Sequence, residues 1–215
     1  MTVSLAPLLP LCTHPDDDPG TWSAATLTAP TLGAVVVVRL CVTSAAPSLG
    51  PAIARLVRAG SAVLGYVSLA FATRPVAELT DDIARWADLG ATGIFLDHAP
   101  PGPAQRGALR LAQRAALRAG LRRVVFNTAG PADPACRDLD AVICTFEGSW
   151  PEYRAWDGYG SLPGDGHLVY DVPPQERGKA LTLMRRRGAG LGLITDLGWP
   201  NGIQSLLAAA VQQGT

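Results

Sequence analysis

The chain has 215 residues, enough for one domain with a sizeable core, and apolar residues make up 48% of it. Its formal net charge is zero, so it builds no basic field, which argues against nucleic acid or an anionic membrane surface as a partner. No apolar run reaches the roughly 20 residues that a membrane-spanning helix needs.

In chain order, residues 5–11 form the first strand-type run. No basic segment precedes it, and Pro7 and Pro10 interrupt it, so it reads as mature sequence and not as a signal peptide. The protein is therefore expected to be cytoplasmic as written, or secreted if a leader precedes this sequence. Asp16, Asp17 and Asp18 follow and read either as an attraction for a cationic amino sugar or as a solvated loop that caps a short helix. Residues 34–41 are the next strand. Residues 51–59 read as a helix with Ile53, Leu56 and Val57 on one face, closing at Gly60. A strand over 62–68 leads to a helix over 80–89, with Thr80 as N-cap, Asp81 and Asp82 in the first turn and Gly90 at the end. The strand over 93–96 is followed by an Ala/Leu/Arg-rich helix over 104–119 that stops at Gly120. Strands over 123–127 and 141–146 flank a connection, 131–139, that holds at most a turn or two. The stretch 150–156 is equally short. A strand over 167–171, a helix over 174–187, a strand over 191–195 and a helix over 202–213 complete the chain.

The strand runs are continuously apolar more than alternating, the mark of parallel strands covered on both faces. Alternation of strand and helix through the whole chain implies a parallel sheet, and eight such units imply closure. The expected fold is thus α/β: a compact (β/α)8 TIM-type barrel, one domain over residues 1–215, with a doubly wound open sheet as the alternative.

In such a barrel the working groups come from the C-terminal strand ends. Those positions hold His14, Arg39, Tyr66 with Ser68, Asp97 with His98, Asn127 with Thr128, Glu147, Tyr170 with Asp171, and Asp196. Every strand finishes on a polar or ionisable group after an otherwise apolar run. Asp97 and Glu147 stand out as paired carboxylates, the equipment that glycosidic bond cleavage needs. Trp22, Tyr66, Trp150, Tyr153, Trp156, Tyr170 and Trp199 lie at strand ends or in loops and could stack on sugar rings, or pack in the core or rim. His167 starts its strand and is expected at the opposite, stability face.

Other chemistries lack their signatures. Cys12, Cys41, Cys136 and Cys144 show no C-x-x-C spacing and read as buried thiols, with a Cys12–Cys41 bridge left open. No His/Asp/Glu spacing resembles a metal site, no Lys-Ser/Thr follows Gly188 and Gly190, and no G-x-S-x-G elbow exists. The loops after the last two expected strands carry prolines, which remove the N–H donors a phosphate site uses.

From Val63 onward the segments LGYVSLAFATRP, TDDIARW, GIFLDH, VVFNTAGPADP, TFEGSWPEYRAW and HLVYDVPP resemble the spherulin 4 family, in the family's order. That family is similar to barrel glycoside hydrolases that cut galactosamine-containing polysaccharides. The resemblance implies endo-acting hydrolysis of α-linked N-acetylgalactosamine or galactosamine chains, with no metal or organic cofactor and a carbohydrate as partner. It puts the family's strand-four aspartate on Asp97 and its TFEG glutamate on Glu147, and matches Tyr66 and Asn127 to pocket-lining positions. Glu147 is then read as general acid/base and Asp97 as nucleophile or oxocarbenium stabiliser, with the exchange of roles left open. His14, Tyr66, His98, Asn127, Trp150, Tyr170, Asp171 and Asp196 are the expected substrate-binding residues. The chain departs from the family's pattern at His98, where a Glu is usual. It departs again at Arg39-Leu40-Cys41-Val42-Thr43, where an Asn and a Gly-Pro-Gly turn are usual. A non-catalytic carbohydrate-binding barrel is the alternative, and the oligomeric state is left open.

Overall fold

Runs of Val, Ile, Leu and Phe too short for helices become the strands of a computed structural model that describes residues 4–38 and 47–196. They are β1 (Ala6–Leu11), β2 (Ala34–Val37), β3 (Val63–Ser68), β4 (Gly93–Asp97), β5 (Arg123–Asn127), β6 (Val142–Ser149), β7 (Gly166–Tyr170) and β8 (Leu191–Ile194). Every neighbouring pair is parallel, and β8 returns to pair with β1, so the sheet closes into an eight-stranded barrel in sequence order. The expected (β/α)8 barrel is the fold, and the open-sheet alternative is excluded.

Between the strands lie α1 (Pro19–Thr28), α2 (Leu49–Arg58), α3 (Val76–Asp88), α4 (Arg106–Arg118), α5 (Trp150–Ala155) and α6 (Arg177–Arg186). Asp18 caps α1 by accepting from the Thr21 N–H at 3.0 Å. The apolar faces repeat at helical spacing: Ala52, Ile53 and Leu56 on α2, Leu79, Ile83 and Trp86 on α3, Leu109, Ala112 and Ala116 on α4. Helix α3 starts a turn before the predicted Thr80 cap, because Pro75 (φ −57°) ends the preceding loop and Leu79 already faces the sheet. Thr80 sits inside the helix, its hydroxyl donating to the Val76 carbonyl at 2.8 Å. The predicted helix over 202–213, the predicted end of the second strand with Arg39 and Cys41, and Trp199 lie outside the described residues. No described helix is long and apolar enough to cross a membrane.

Strand side chains alternate between two apolar layers. Leu8, Ala34, Val36, Leu64, Phe95, Val125, Cys144, Leu168, Leu191 and Leu193 fill the barrel interior. Leu9, Val35, Val37, Val67, Ile94, Leu96, Val124 and Phe126 point outward under the helices. Each such fully buried side chain contributes about 2 kcal/mol. Arg123 closes the base by donating across it to the Gly33 carbonyl at 2.6 Å, and burial lowers its pKa. At Gly65 a Cβ would lie 2.2 Å from the Trp86 ring, so only glycine lets α3 come this close. Trp86 uses that approach to donate its indole N–H to the Tyr66 carbonyl at 3.0 Å, fixing the strand on which Tyr66 stands.

His167, outward on β7 and fully buried, lies between the Tyr153 hydroxyl at 2.8 Å and Ser161 Oγ at 2.9 Å. It belongs to the outer layer beneath α5, not to the barrel mouth. Burial pushes its imidazole down to about 4; the Arg187 charge adds to this and Asp165 opposes it. An unfolded imidazole takes its proton near pH 6.5, so between there and about pH 4 the unfolded state holds more protons. Stability should therefore fall as the pH drops through that window, by up to about 3 kcal/mol from this residue. Urea midpoints measured from pH 7 to 4 should decline more steeply for the native chain than for His167→Asn; equal slopes would remove His167 as the cause.

Candidate active site

Interior positions at the C-terminal ends of five consecutive strands bring together Tyr66 of β3, Asp97 of β4, Asn127 of β5, Glu147 of β6 and Tyr170 of β7. On β4, β5 and β7 simple alternation suffices, since Phe95, Val125 and Leu168 are the interior residues two positions earlier. On β6 it does not. Counting by twos from Cys144 would send Phe146 inward and Glu147 outward. A register shift between Cys144 and Phe146 against β7 inserts one extra residue. Phe146 then packs outward on Tyr153 and Trp156, and Glu147 pairs with inward-facing Leu168. The bulge is what turns the glutamate into the mouth.

The five side chains form one hydrogen-bonded line. Tyr66 donates its hydroxyl to Asp97 Oδ2 at 2.7 Å, and Tyr170 donates to Glu147 Oε1. Between them, Asn127 Nδ2 donates to Asp97 Oδ1 at 2.8 Å and to Glu147 Oε2 at 2.6 Å. The Asn127 carbonyl oxygen accepts from the Ala129 N–H at 3.1 Å, which fixes which way the amide faces. Asp97 and Asn127 are almost fully buried, at 4% and 2% exposed, while Glu147 is half-buried. Each carboxylate oxygen has a donor, and among the described residues neither carboxylate pairs with Arg or Lys. Burial, the hydrogen bond to a carboxylate and the charges of Asp97 and Glu147 all raise the pKa of both tyrosines, so their hydroxyls stay protonated. Beneath them burial, then the charges of Glu147, Asp165 and Asp97, keeps Cys144 a neutral thiol. Such a pocket can stabilise positive charge developing on a bound molecule.

His98 is half exposed at the edge of this line, its Nδ1 2.9 Å from Ser68 Oγ and 3.6 Å from Asp97 Oδ2. Its backbone is left-handed (φ 50°). So are Ala70, Phe71 and Ala72 after β3, Ala129 after β5 and Asp171 after β7. All six such non-glycine residues among the described ones lie on the mouth side of the barrel. Each costs about 1 kcal/mol or more, and strain of this sort collects at working sites.

The other predicted residues do not join the line. His14 lies in the loop after β1 and accepts from the Asp16 N–H through Nδ1 at 3.2 Å. Asp171 is exposed beyond β7, and Asp196 is paired with Arg177 at 3.1 Å. Trp150, predicted to bind substrate, is instead 3% exposed in the outer layer, its indole N–H bonded to Glu176. The cause is local: Ser149 ends β6 and forms a capping box with Glu152, so Trp150 opens α5 on the helix side of the sheet. Trp22, Tyr153 and Trp156 likewise pack outside the barrel. Phe71, which the sequence reading did not single out, stands exposed beside His98 at the mouth. Cys136 and Cys144 are buried as expected; the Cys12–Cys41 bridge falls outside the described residues. Among the described residues no three His, Cys, Asp or Glu side chains gather to hold a metal ion.

The profile of the spherulation-specific family 4 matches residues 7–207. The chain belongs to this family. No curated protein matches the sequence. Among solved structures, this spherulation-specific family 4 barrel is similar to Aspergillus clavatus Sph3 in complex with GalNAc, with TM-score 0.73 and 20% identity over 98% of this chain and 97% of that one. It is also similar to a protein described as a deoxyribose-phosphate aldolase from Toxoplasma gondii, with TM-score 0.61 and 16% identity over 98% and 92%. A phospho-2-dehydro-3-deoxyheptonate aldolase from Thermotoga maritima follows at TM-score 0.52 and 14% identity over 99% and 68%. At these identities the likeness is one of fold, and barrels of this shape carry unrelated chemistries.

Proposed function

We propose that this family member is a glycoside hydrolase acting on galactosamine-containing polysaccharide, with Asp97 and Glu147 as its carboxylate pair. The observation that carries the reading is the single Asn127 amide between the two groups. Its two hydrogen bonds, at 2.8 and 2.6 Å, hold one oxygen of each carboxylate against the same nitrogen, which supports the short separation of retaining enzymes over the wider one of inverting enzymes. Asp97, the more buried, attacks the anomeric carbon as the glycosidic bond breaks, while Glu147, in its protonated form, gives its proton to the leaving oxygen. Water then cleaves the glycosyl ester on Asp97, with Glu147 taking the water's proton. Family membership and the GalNAc held by the similar Sph3 barrel support an α-linked N-acetylgalactosamine or galactosamine chain as substrate, cut internally. His98 sets the preference: a hydrogen-bond donor or cation stands where a glutamate would attract the free amine, so acetylated sugars fit better. The same residue favours the second reading, a barrel that binds the polymer without cutting it.

Incubation with acetylated and deacetylated α-linked galactosamine oligomers, read by mass spectrometry, tests this. Shorter oligomers should accumulate, faster from the acetylated series, and NMR of the first product should show a retained anomeric configuration. His98→Glu should move the acetylated-to-deacetylated affinity ratio by about fivefold towards the amine. Oligomers bound but never shortened would establish the binding barrel; oligomers neither bound nor cut would overturn both readings.

A further inference from the structure

The segment after β3 carries a second feature of the mouth. Ala70, Phe71 and Ala72 are successively left-handed, with φ of 44°, 54° and 67°, and none is glycine. The turn does not relax because it is tied on every side. The Leu69 N–H donates to the Asp97 carbonyl at 2.8 Å, the Phe71 N–H to the His98 carbonyl at 2.9 Å, and the Ala70 N–H to Ser68 Oγ at 3.1 Å. Arg74 holds the far end, donating to the Ser68 carbonyl at 3.0 Å while paired with Asp82 at 2.7 Å. The product of this strain is an exposed phenyl ring: Phe71 is 61% exposed, unlike the aromatics buried in the outer layer. Its ring centre lies 5.4 Å from that of His98, tilted by 50°, and His98 in turn lies 3.6 Å from Asp97 Oδ2. Thus Phe71, His98 and Asp97 form a short line from rim to carboxylate. A lone exposed aromatic on a relaxed surface needs no explanation. This one combines exposed apolar area with backbone strain, two costs offset within the folded chain by little beyond the tilted contact with His98.

We infer that Phe71, flanked by His98, is a stacking platform for a neutral pyranose one subsite away from Asp97 and Glu147. The inference rests on the proposed glycoside hydrolase reading and adds a binding subsite to it. A galacto-configured ring has one face lined by the C–H groups of C3, C4 and C5, and that face lies flat on an aromatic ring while its hydroxyls reach water. The class of ligand is therefore an uncharged sugar unit of a chain whose next unit occupies the carboxylate site.

The test uses Phe71→Gly, Phe71→Ala and Phe71→Trp, with calorimetric titration of acetylated galactosamine oligomers and of free N-acetylgalactosamine, beside thermal melts. The titrations are made in the Glu147→Gln background, where the oligomers stay intact and the heat reads binding. Phe71→Gly and Phe71→Ala should bind longer oligomers about tenfold more weakly, as loss of one stacked ring face predicts, and the monosaccharide nearly as before. Phe71→Trp should restore the affinity. Because glycine relieves the left-handed strain, Phe71→Gly should melt no lower than the native chain while binding worse. A purely structural Phe71 would lose stability and affinity together, and that result overturns the platform. So does a native chain that binds or cuts the oligomers while Phe71→Gly does so equally well. A native chain that neither binds nor cuts them overturns the hydrolase reading and the platform with it.

Discussion

Asp97→Asn and Glu147→Gln are each expected to lower turnover by about 10²-fold or more while the thermal melt hardly moves. Both replacements keep shape and hydrogen-bonding capacity. In Asp97→Asn the amide oxygen can still accept from Asn127, and its NH2 meets the Tyr66 hydroxyl, which can turn to accept. In Glu147→Gln the same exchange takes place with Tyr170. Each variant also removes one of two like charges held close together, a change that does not destabilise the fold. What is lost is chemistry. The two variants separate by substrate: a glycoside with a good leaving group needs no proton at its departing oxygen, so Glu147→Gln should recover the first step on it. Asp97→Asn should be slow on good and poor leaving groups alike. The reverse pattern would exchange the two roles, and unchanged turnover in either variant would move the site elsewhere.

The barrel was legible in the sequence because parallel strands buried on both faces leave short continuous apolar runs, and eight of them alternate with helix-type segments. The strand ends were legible for the same reason: Asp97, Asn127 and Tyr170 each break an apolar run. Sequence leaves the facing of a side chain at a strand end open wherever the period of two is broken. Glu147 faces the mouth only because β6 holds one extra residue, Thr145, between Cys144 and Phe146, and the run Val142-Ile143-Cys144-Thr145-Phe146 looks like any other strand. The aromatics suffered from the same ambiguity. Trp150 and Tyr153 follow a strand end as closely as any mouth residue does, yet the capping box at Ser149 starts a helix and carries both to the outer layer. Phe71 was invisible for a different reason: its exposure depends on three left-handed alanine and phenylalanine residues, a backbone state that nothing in AFAT signals.

Asn127→Ala is expected to be nearly as damaging as loss of a carboxylate, with turnover falling by about 10²-fold, although the residue performs no proton transfer. Among the described residues its amide is the one group that holds Asp97 and Glu147 at once, and its own oxygen satisfies the Ala129 N–H. Alanine removes three hydrogen bonds and leaves two carboxylates facing an unfilled gap. An unsatisfied buried group costs about 1–3 kcal/mol, so the melt should fall as well, unlike in the carboxylate variants. Asn127→Asp separates shape from charge. It has the size of the native side chain but puts a third carboxyl among two others, where like charges favour its protonated form. At pH 7 this variant should therefore be less stable than Asn127→Ala. As the pH falls its folded state takes up a proton that the unfolded state, with an ordinary carboxyl, binds only later, so its stability relative to the native chain should rise. A protonated carboxyl can donate one of the two lost hydrogen bonds, which predicts partial recovery of turnover on the acid side, in Asn127→Asp alone. Urea midpoints and rates measured across pH 4.5 to 7.5, about the range in which such a group titrates, read both effects. Turnover in Asn127→Ala equal to that of the native chain would show that the pair does not depend on a shared donor for its spacing, and the retaining geometry argued from that donor would fall with it.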